Sequence, residues 1–126
     1  MEKLNIAIEK TSPAIAFDAQ TGELTISGES YPENTAKFYA PVISWLENYF
    51  ATSPDIPTVL NCELIYFNSS SSRVLLDIFD IFEKAHNDGM SVKVNWIYAA
   101  DNIAALEFGE EFAEEMQKLE FNLIQK

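Results

Sequence analysis

The chain has 126 residues, 48% of them hydrophobic and 22% charged, which is enough apolar surface for one folded domain and too little polarity for wholesale disorder. Twenty acidic residues against eight basic ones give a net charge of −12, a field that repels phosphate backbones and anionic bilayers and so argues against nucleic acid or membrane as a partner. A lone cysteine, Cys62, forbids an internal disulfide; with no apolar run of membrane-spanning length and no leader pattern in MEKLNIAIEK, the expected location is the cytoplasm.

In chain order, LNIAIEK alternates apolar and polar residues, with Leu4, Ile6 and Ile8 on one face, and reads as a strand. AIAFDAQTGELTISGES reads as a hairpin turning at DAQTG, with Ile15 and Phe17 on one arm and Leu24 and Ile26 on the other. SYPENTAKFYAPVISWLENYFATS is helical in two pieces. Pro32 and Glu33 suit a start, and Pro41 opens a fresh helix whose stripe is Val42, Trp45, Leu46 and Tyr49, widened by Ile43 and Phe50.

After the loop SPDIP, TVLNCELIYF is a strand with Leu60, Cys62, Leu64 and Tyr66 on one face and Asn61, Glu63, Ile65 and Phe67 on the other. The second face turns apolar toward the C-terminal end, which is expected to lie deeper in the sheet. A helix follows from about Ser70 to His86, with a stripe of Val74, Ile78, Ile81, Phe82 and Ala85 widened by Leu75 and Phe79, and Asp77, Asp80, Glu83 and Lys84 outside it. HNDG stops it, Gly89 suiting the left-handed cap. SVKVNWIY is an alternating strand. DNIAALEFGEEFAEEMQK is an acidic helix capped by Asp101 or Asn102, with Leu106, Phe112 and Met116 among its apolar positions, and LEFNLI is a short final strand. Strands alternating with helices predict one α/β domain over residues 1–126, with a mixed sheet and right-handed crossovers.

Little catalytic chemistry is available. The only histidine, His86, closes the helix that the serine run opens, roughly 24 Å from Ser69 at 1.5 Å per residue, so a Ser–His pair is excluded and His86 reads as a cation at a helix C-terminus. One Cys and one His cannot build a zinc site, and there is no GxGxxG or GxxxxGKS/T phosphate loop. Carboxylates are numerous enough that count alone leaves an Mg²⁺ site open, but Asp77 and Asp80 fall on an exposed helix face; no metal or cofactor is expected. Cys62, in an apolar run without a basic neighbour, reads as core.

What remains is IYFNSSSSR, where Asn68 and Ser69 to Ser72 join the most apolar strand to the most amphipathic helix. Two readings stand. Asn68 or a serine caps the helix by accepting from its free N–H groups. Alternatively, the same helix N-terminus tolerates a phosphate on a serine, which adds about −1.5 to −2 charges.

An Asn/Asp-Ser-Ser junction between a central strand and a helix resembles the STAS fold of anti-sigma factor antagonists, whose phosphorylatable serine follows an Asp there. More closely, GESYPEN (28–34) and IYFNSSSSRVLLDIFDIFEKAH (65–86) look like the two most distinctive segments of the SiaC family of regulatory phosphoproteins, with TSPAIAFDAQTGELTISG, FYAPVISWLENYF and GEEFAEEM also similar. The resemblance implies a STAS-like domain with helices mainly on one sheet face, acting as a switch rather than an enzyme. It implies phosphorylation by an anti-sigma-type, histidine-kinase-like protein kinase and dephosphorylation by a PPM-type phosphatase. The unphosphorylated form would bind and regulate a diguanylate cyclase, raising cyclic di-GMP and favouring biofilm; a sigma-factor pathway is the alternative output. The family's acceptor threonine falls on Ser69, where this chain keeps the hydroxyl but not the residue. Ser69 is therefore the expected acceptor, ahead of Ser70 and Ser71. Asn68 positions the loop, Ser70 caps the helix, and Asn68, Ser69, Ser70, Ser71 and Arg73 form the partner-binding set. An unmodified protein-binding module is the competing reading.

Overall fold

The computed structural model describes residues 1–126. The elements are β1 (Leu4–Ile6), β2 (Ala14–Asp18), β3 (Glu23–Ser30), α1 (Thr35–Ala51), β4 (Thr58–Phe67), α2 (Ser69–Asn87), β5 (Val92–Tyr98), α3 (Ile103–Glu115) and β6 (Glu120–Gln125). All six strands form one sheet in the order β1-β2-β3-β4-β5-β6. β1, β2 and β3 pair antiparallel; β3 through β6 pair parallel, each step spanned by one helix. Successive right-handed crossovers to the next neighbour put every helix on the same side of a sheet.

That side holds the core. Leu24, Ile26, Leu60, Cys62, Val94 and Trp96 from the strands meet Val42, Leu46, Leu75, Ile78, Phe79 and Phe82 from the helices, all at 0% exposure. Burial pushes the Cys62 thiol's pKa up, so it is an inert core group, as its sequence setting implied. The opposite face has no helix. Thr25, Asn61, Asn95 and Asn122 stand there in one row across four strands, and Asn95 Nδ2 donates to Asn61 Oδ1 at 3.0 Å while Asn122 Nδ2 donates to Asn95 Oδ1 at 3.1 Å.

Two expectations are corrected. α1 is one continuous helix, capped by Asn34 Oδ1 accepting from Lys37 N–H at 3.0 Å, with Pro41 inside it. Pro41 lies on the exposed face, so the Lys37 carbonyl that it leaves without a helical donor can be hydrated. The end of β4 is also not deeper in the sheet. The β3–β4 register jumps from Gly28↔Leu64 to Glu29↔Tyr66, leaving Ile65 as an extra residue. This bulge reverses the alternation: Ile65 and Tyr66 are 65% and 52% exposed, and Phe67 turns into the core. The α2 stop is as expected, with Gly89 at φ +96° and Met90 N–H reaching back to Ala85 O at 3.0 Å.

α3 docks through an unusually close contact. Gly109 is buried against Trp96, and a Cβ placed on it would lie 2.5 Å from the indole. The missing side chain lets Trp96 Nε1–H donate to Ala105 O at 2.9 Å, and Trp96 packs edge-on against Phe67, Phe79 and Phe112.

The start of α2 is pinned below the surface. Ser30 Oγ at the end of β3 lies 2.7 Å from Tyr39 OH of α1 and 2.8 Å from Ser71 Oγ of α2. All three residues are buried, and burial raises the Tyr39 pKa to about 12, partly offset by the bond to Ser30. One hydroxyl thus joins a strand to two helices, with no buried polar side-chain atom left unpaired.

Two stability predictions follow from these contacts. Gly→Ala in a helix normally stabilises by about 1 kcal/mol; Gly109→Ala is expected to destabilise by about 1–3 kcal/mol, because α3 must lift from Trp96. A urea midpoint at or above wild type would contradict the close docking. In the hydroxyl cluster, Ser30→Ala strands two buried hydroxyls, so it is expected to cost about 2–4 kcal/mol, whereas Tyr39→Phe leaves the Ser30–Ser71 bond and costs about 1 kcal/mol. Equal or inverted losses in the same denaturation series would show that Ser30 is not the hub.

Candidate functional site

The site forms where β4 runs into α2. β4 ends at Phe67 because Asn68 leaves the ladder: its N–H still donates to Ser30 O at 3.1 Å, but its extended backbone (φ −88°, ψ 176°) turns the chain. Its side chain then accepts from Ser71 N–H at 2.9 Å, and its carbonyl accepts from Ser72 N–H at 3.0 Å. Asn68 is therefore the N-cap. The expectation that Ser70 caps the helix is corrected, because Ser70 is already its second residue.

The four serines take four environments, set by the helical turn. Ser69 and Ser70 are exposed, Ser72 is half-buried, and Ser71 is fully buried in the hydroxyl cluster. Ser71 was expected as a partner contact and as a third-choice acceptor; its hydroxyl instead faces the interior and is already hydrogen-bonded, so it serves neither role in this fold.

Ser69, Ser70 and Arg73 line an open depression of about 630 Å³ whose other wall is the start of α1, at Asn34, Thr35 and Ala36. Two helix N-termini open onto it. Ser69 and Ser70 are the first two residues of α2, where backbone N–H groups have no acceptor within the helix. Arg73, four residues beyond Ser69 and exposed, takes part in none of the three ion pairs of the chain. Glu33 on the rim is the one acid among the lining residues. The local field therefore favours an anion, despite the overall charge.

No base accompanies the hydroxyls. His86 sits in the last turn of the unbroken helix that Ser69 begins, so the pair is held at opposite ends. No three His, Cys, Asp or Glu side chains gather in a metal-binding arrangement. What the geometry offers is a presented hydroxyl whose deprotonation must come from elsewhere.

The sequence marked Asn68, Ser69, Ser70 and Arg73, and the structure brings them to one end of α2. It missed Ser30 and Tyr39, whose partners lie up to 41 residues away and leave no periodic trace. It also missed the wall at the start of α1. The signal that could have found both is GESYPEN: Ser30 pairs with Phe67 in the sheet, so this segment and IYFNSSSSR lie side by side. Tyr31 packs edge-on against Tyr66 at 5.6 Å from the same two segments.

No helix is long and apolar enough to cross a membrane. Residues 6–126 match the model of the SiaC family regulatory phosphoproteins. An uncharacterized protein of Pseudomonas aeruginosa strain UCBPP-PA14 is 38% identical over 115 residues, covering 91% of this chain and 90% of that protein. Among solved structures, apo-SiaC from Pseudomonas aeruginosa is similar with a TM-score of 0.85 at 34% identity, covering 100% of this chain and 99% of that one. A second is the crystal structure of the diguanylate cyclase SiaD in complex with its activator SiaC, also from Pseudomonas aeruginosa, with a TM-score of 0.91 at 36% identity over 98% of this chain and 99% of that one. By sequence and by fold, this chain belongs to the SiaC family of regulatory phosphoproteins.

Proposed function

We propose that this chain is a phosphorylation-controlled switch in protein–protein signalling, with Ser69 as the phosphoacceptor. The observation that carries the reading is the division of the serine run. Ser69 offers an exposed hydroxyl at the first residue of α2, on a depression that also holds Arg73 and the start of α1. Ser71 is buried and bonded.

A partner kinase of the histidine-kinase-like, anti-sigma type supplies ATP and the base. The Ser69 oxygen forms a bond to the γ-phosphorus, ADP leaves, and the serine proton passes to the kinase. A PPM-type phosphatase reverses the state by hydrolysis. This ATP-dependent cycle belongs to the cytoplasm. The new dianion keeps the fold, because first-turn N–H groups and Arg73 favour it. It also makes the tip of the site strongly hydrated, and a partner seated there must strip that hydration.

The output we assign is a diguanylate cyclase bound by the unphosphorylated form. The support is the complex of the related SiaC with the cyclase SiaD. This chain is a regulator in that exchange, in keeping with its family of regulatory phosphoproteins.

Two measurements test the reading. Intact-mass analysis after incubation with the cognate kinase and ATP is expected to show a single added phosphate in wild type and Ser70→Ala, and none in Ser69→Ala. An undiminished gain in Ser69→Ala overturns the assignment. By calorimetry, Ser69→Asp is expected to weaken cyclase binding about tenfold or more, while Ser69→Ala binds as wild type. Equal binding by all three would make the chain a constitutive binding module.

A further inference from the structure

The flank of α2 away from this depression carries a second surface. α1 packs against α2, while α2 and α3 meet through Phe79 and Phe112, 5.2 Å apart edge to face, and leave a groove of about 300 Å³ between them. Its apolar part is Leu76 from α2 with Phe108 and Phe112 from α3, and Phe108 is 38% exposed. The far end is closed by Glu83, whose Oε1 accepts from Lys118 N–H at 2.7 Å and Leu119 N–H at 3.1 Å. From Ser72 to Glu83 the α2 wall runs about 16 Å, roughly three turns.

The rim is acidic. Glu111, Glu114 and Glu115 line the α3 side, and Asp80 is exposed on α2, near enough to Glu115 to feel its charge. None of these carboxylates belongs to any of the three ion pairs, and α3 has no basic residue of its own. Burial first, and then the like charges of Asp77, Glu83 and Glu115, hold the Asp80 carboxyl above its ordinary range.

We infer that this groove docks a basic amphipathic helix of a partner protein, seating an apolar side chain on Phe108 and Phe112 while Lys or Arg one turn away reaches Glu111, Glu115 and Asp80. Charge complementarity selects the occupant. A second copy at −12, an anionic bilayer and a nucleic acid all bring the wrong sign. The groove volume accepts side chains rather than the body of a helix, so the partner lies across the rim. The inference does not rest on Ser69, and its test involves no phosphate.

The test is a titration of the isotope-labelled full chain with a synthetic helical peptide of about 15 residues, Leu and Lys at helical spacing, followed by amide chemical shifts. Shifts are expected to concentrate at Ser72, Leu76, Phe108, Phe112 and Glu115. Glu111→Gln with Glu115→Gln is expected to weaken binding about tenfold and flatten its salt dependence. Phe108→Ala should weaken it at unchanged salt dependence, and Asp55→Asn, away from the groove, should bind as wild type. The Leu/Glu analogue of the peptide should not bind. Shifts spread evenly over all acidic surfaces, absence of binding, or wild-type affinity in the double Gln variant would each overturn the proposal. The Gln variant removes like-charge repulsion and stays folded, so the test survives if Phe108→Ala does not fold.

Discussion

The structure depends on how the first turn of α2 is held. Asn68 Oδ1 fixes the Ser71 N–H, Asn68 N–H holds the Ser30 carbonyl, and Ser71 Oγ reaches the Ser30 hydroxyl at the end of β3. These bonds fix both the place and the rotation of α2. Successive helical residues are turned by about 100°. Once Ser71 points inward, Ser69 and Ser70 must point out and Ser72 must face the α3 side. The fourfold serine repeat is therefore not redundant: a homogeneous sequence becomes four different chemical environments.

The one-sided sheet explains why that end of the molecule is accessible. With strands in sequential order and all helices on one face, no element crosses the strand ends. The uncovered face tolerates water because its central row is asparagine, bonded side chain to side chain across β4, β5 and β6. Two of the apolar groups left exposed, Ile65 and Tyr66, come from the β4 bulge, next to the start of α2. A bulge that spoils alternation two residues before a functional turn re-aims the chain there. Without the extra residue, Phe67 would turn away from Trp96, against which it now packs edge-on.

Element order and type were legible because most segments carry a clear period. Of the α2 stripe that spacing implies, Ile78, Phe82 and Ala85 are buried, as are Leu75 and Phe79 that widen it, while Val74 and Ile81 are half-buried. What was not legible depends on tertiary partners. Pro41 reads as a helix break in isolation, yet the stripe on either side of it, from Tyr39 to Phe50, packs on the sheet and holds one helix through it. The β4 bulge needs the β3 register, which no single strand contains. Ser71 differs from its neighbours only through Ser30 and Tyr39, which are brought in by a sheet pairing and a helix crossing. The site was legible as a junction and became specific only when the fold sorted its serines. Glu83 is marked by sequence only as lying outside the α2 stripe, but it caps the α3 exit by accepting two backbone N–H groups, and those bonds hold its pKa below the ordinary value.

Placing a phosphate on a chain of net charge −12 looks unfavourable until distance is considered. Exposed charges beyond about 8 Å are screened at physiological salt, so the nearest groups decide. On the Ser69 flank these are N–H donors and Arg73, with Glu33 the one acid on the rim; on the other flank of α2 they are unpaired carboxylates. The two flanks therefore respond differently to the same covalent step. If Ser69 is the acceptor, as proposed, a partner that must enter the α1–α2 depression loses its seat to the phosphate and its hydration. A cationic segment lying over the α2–α3 groove keeps its seat, and added negative charge near the shared first turn does not repel it. On these assignments, phosphorylation discriminates between partners by flank rather than releasing every partner alike. The structural requirement is that α2 stay fixed while its surface changes sign locally, and the buried Ser30–Ser71 bond supplies it.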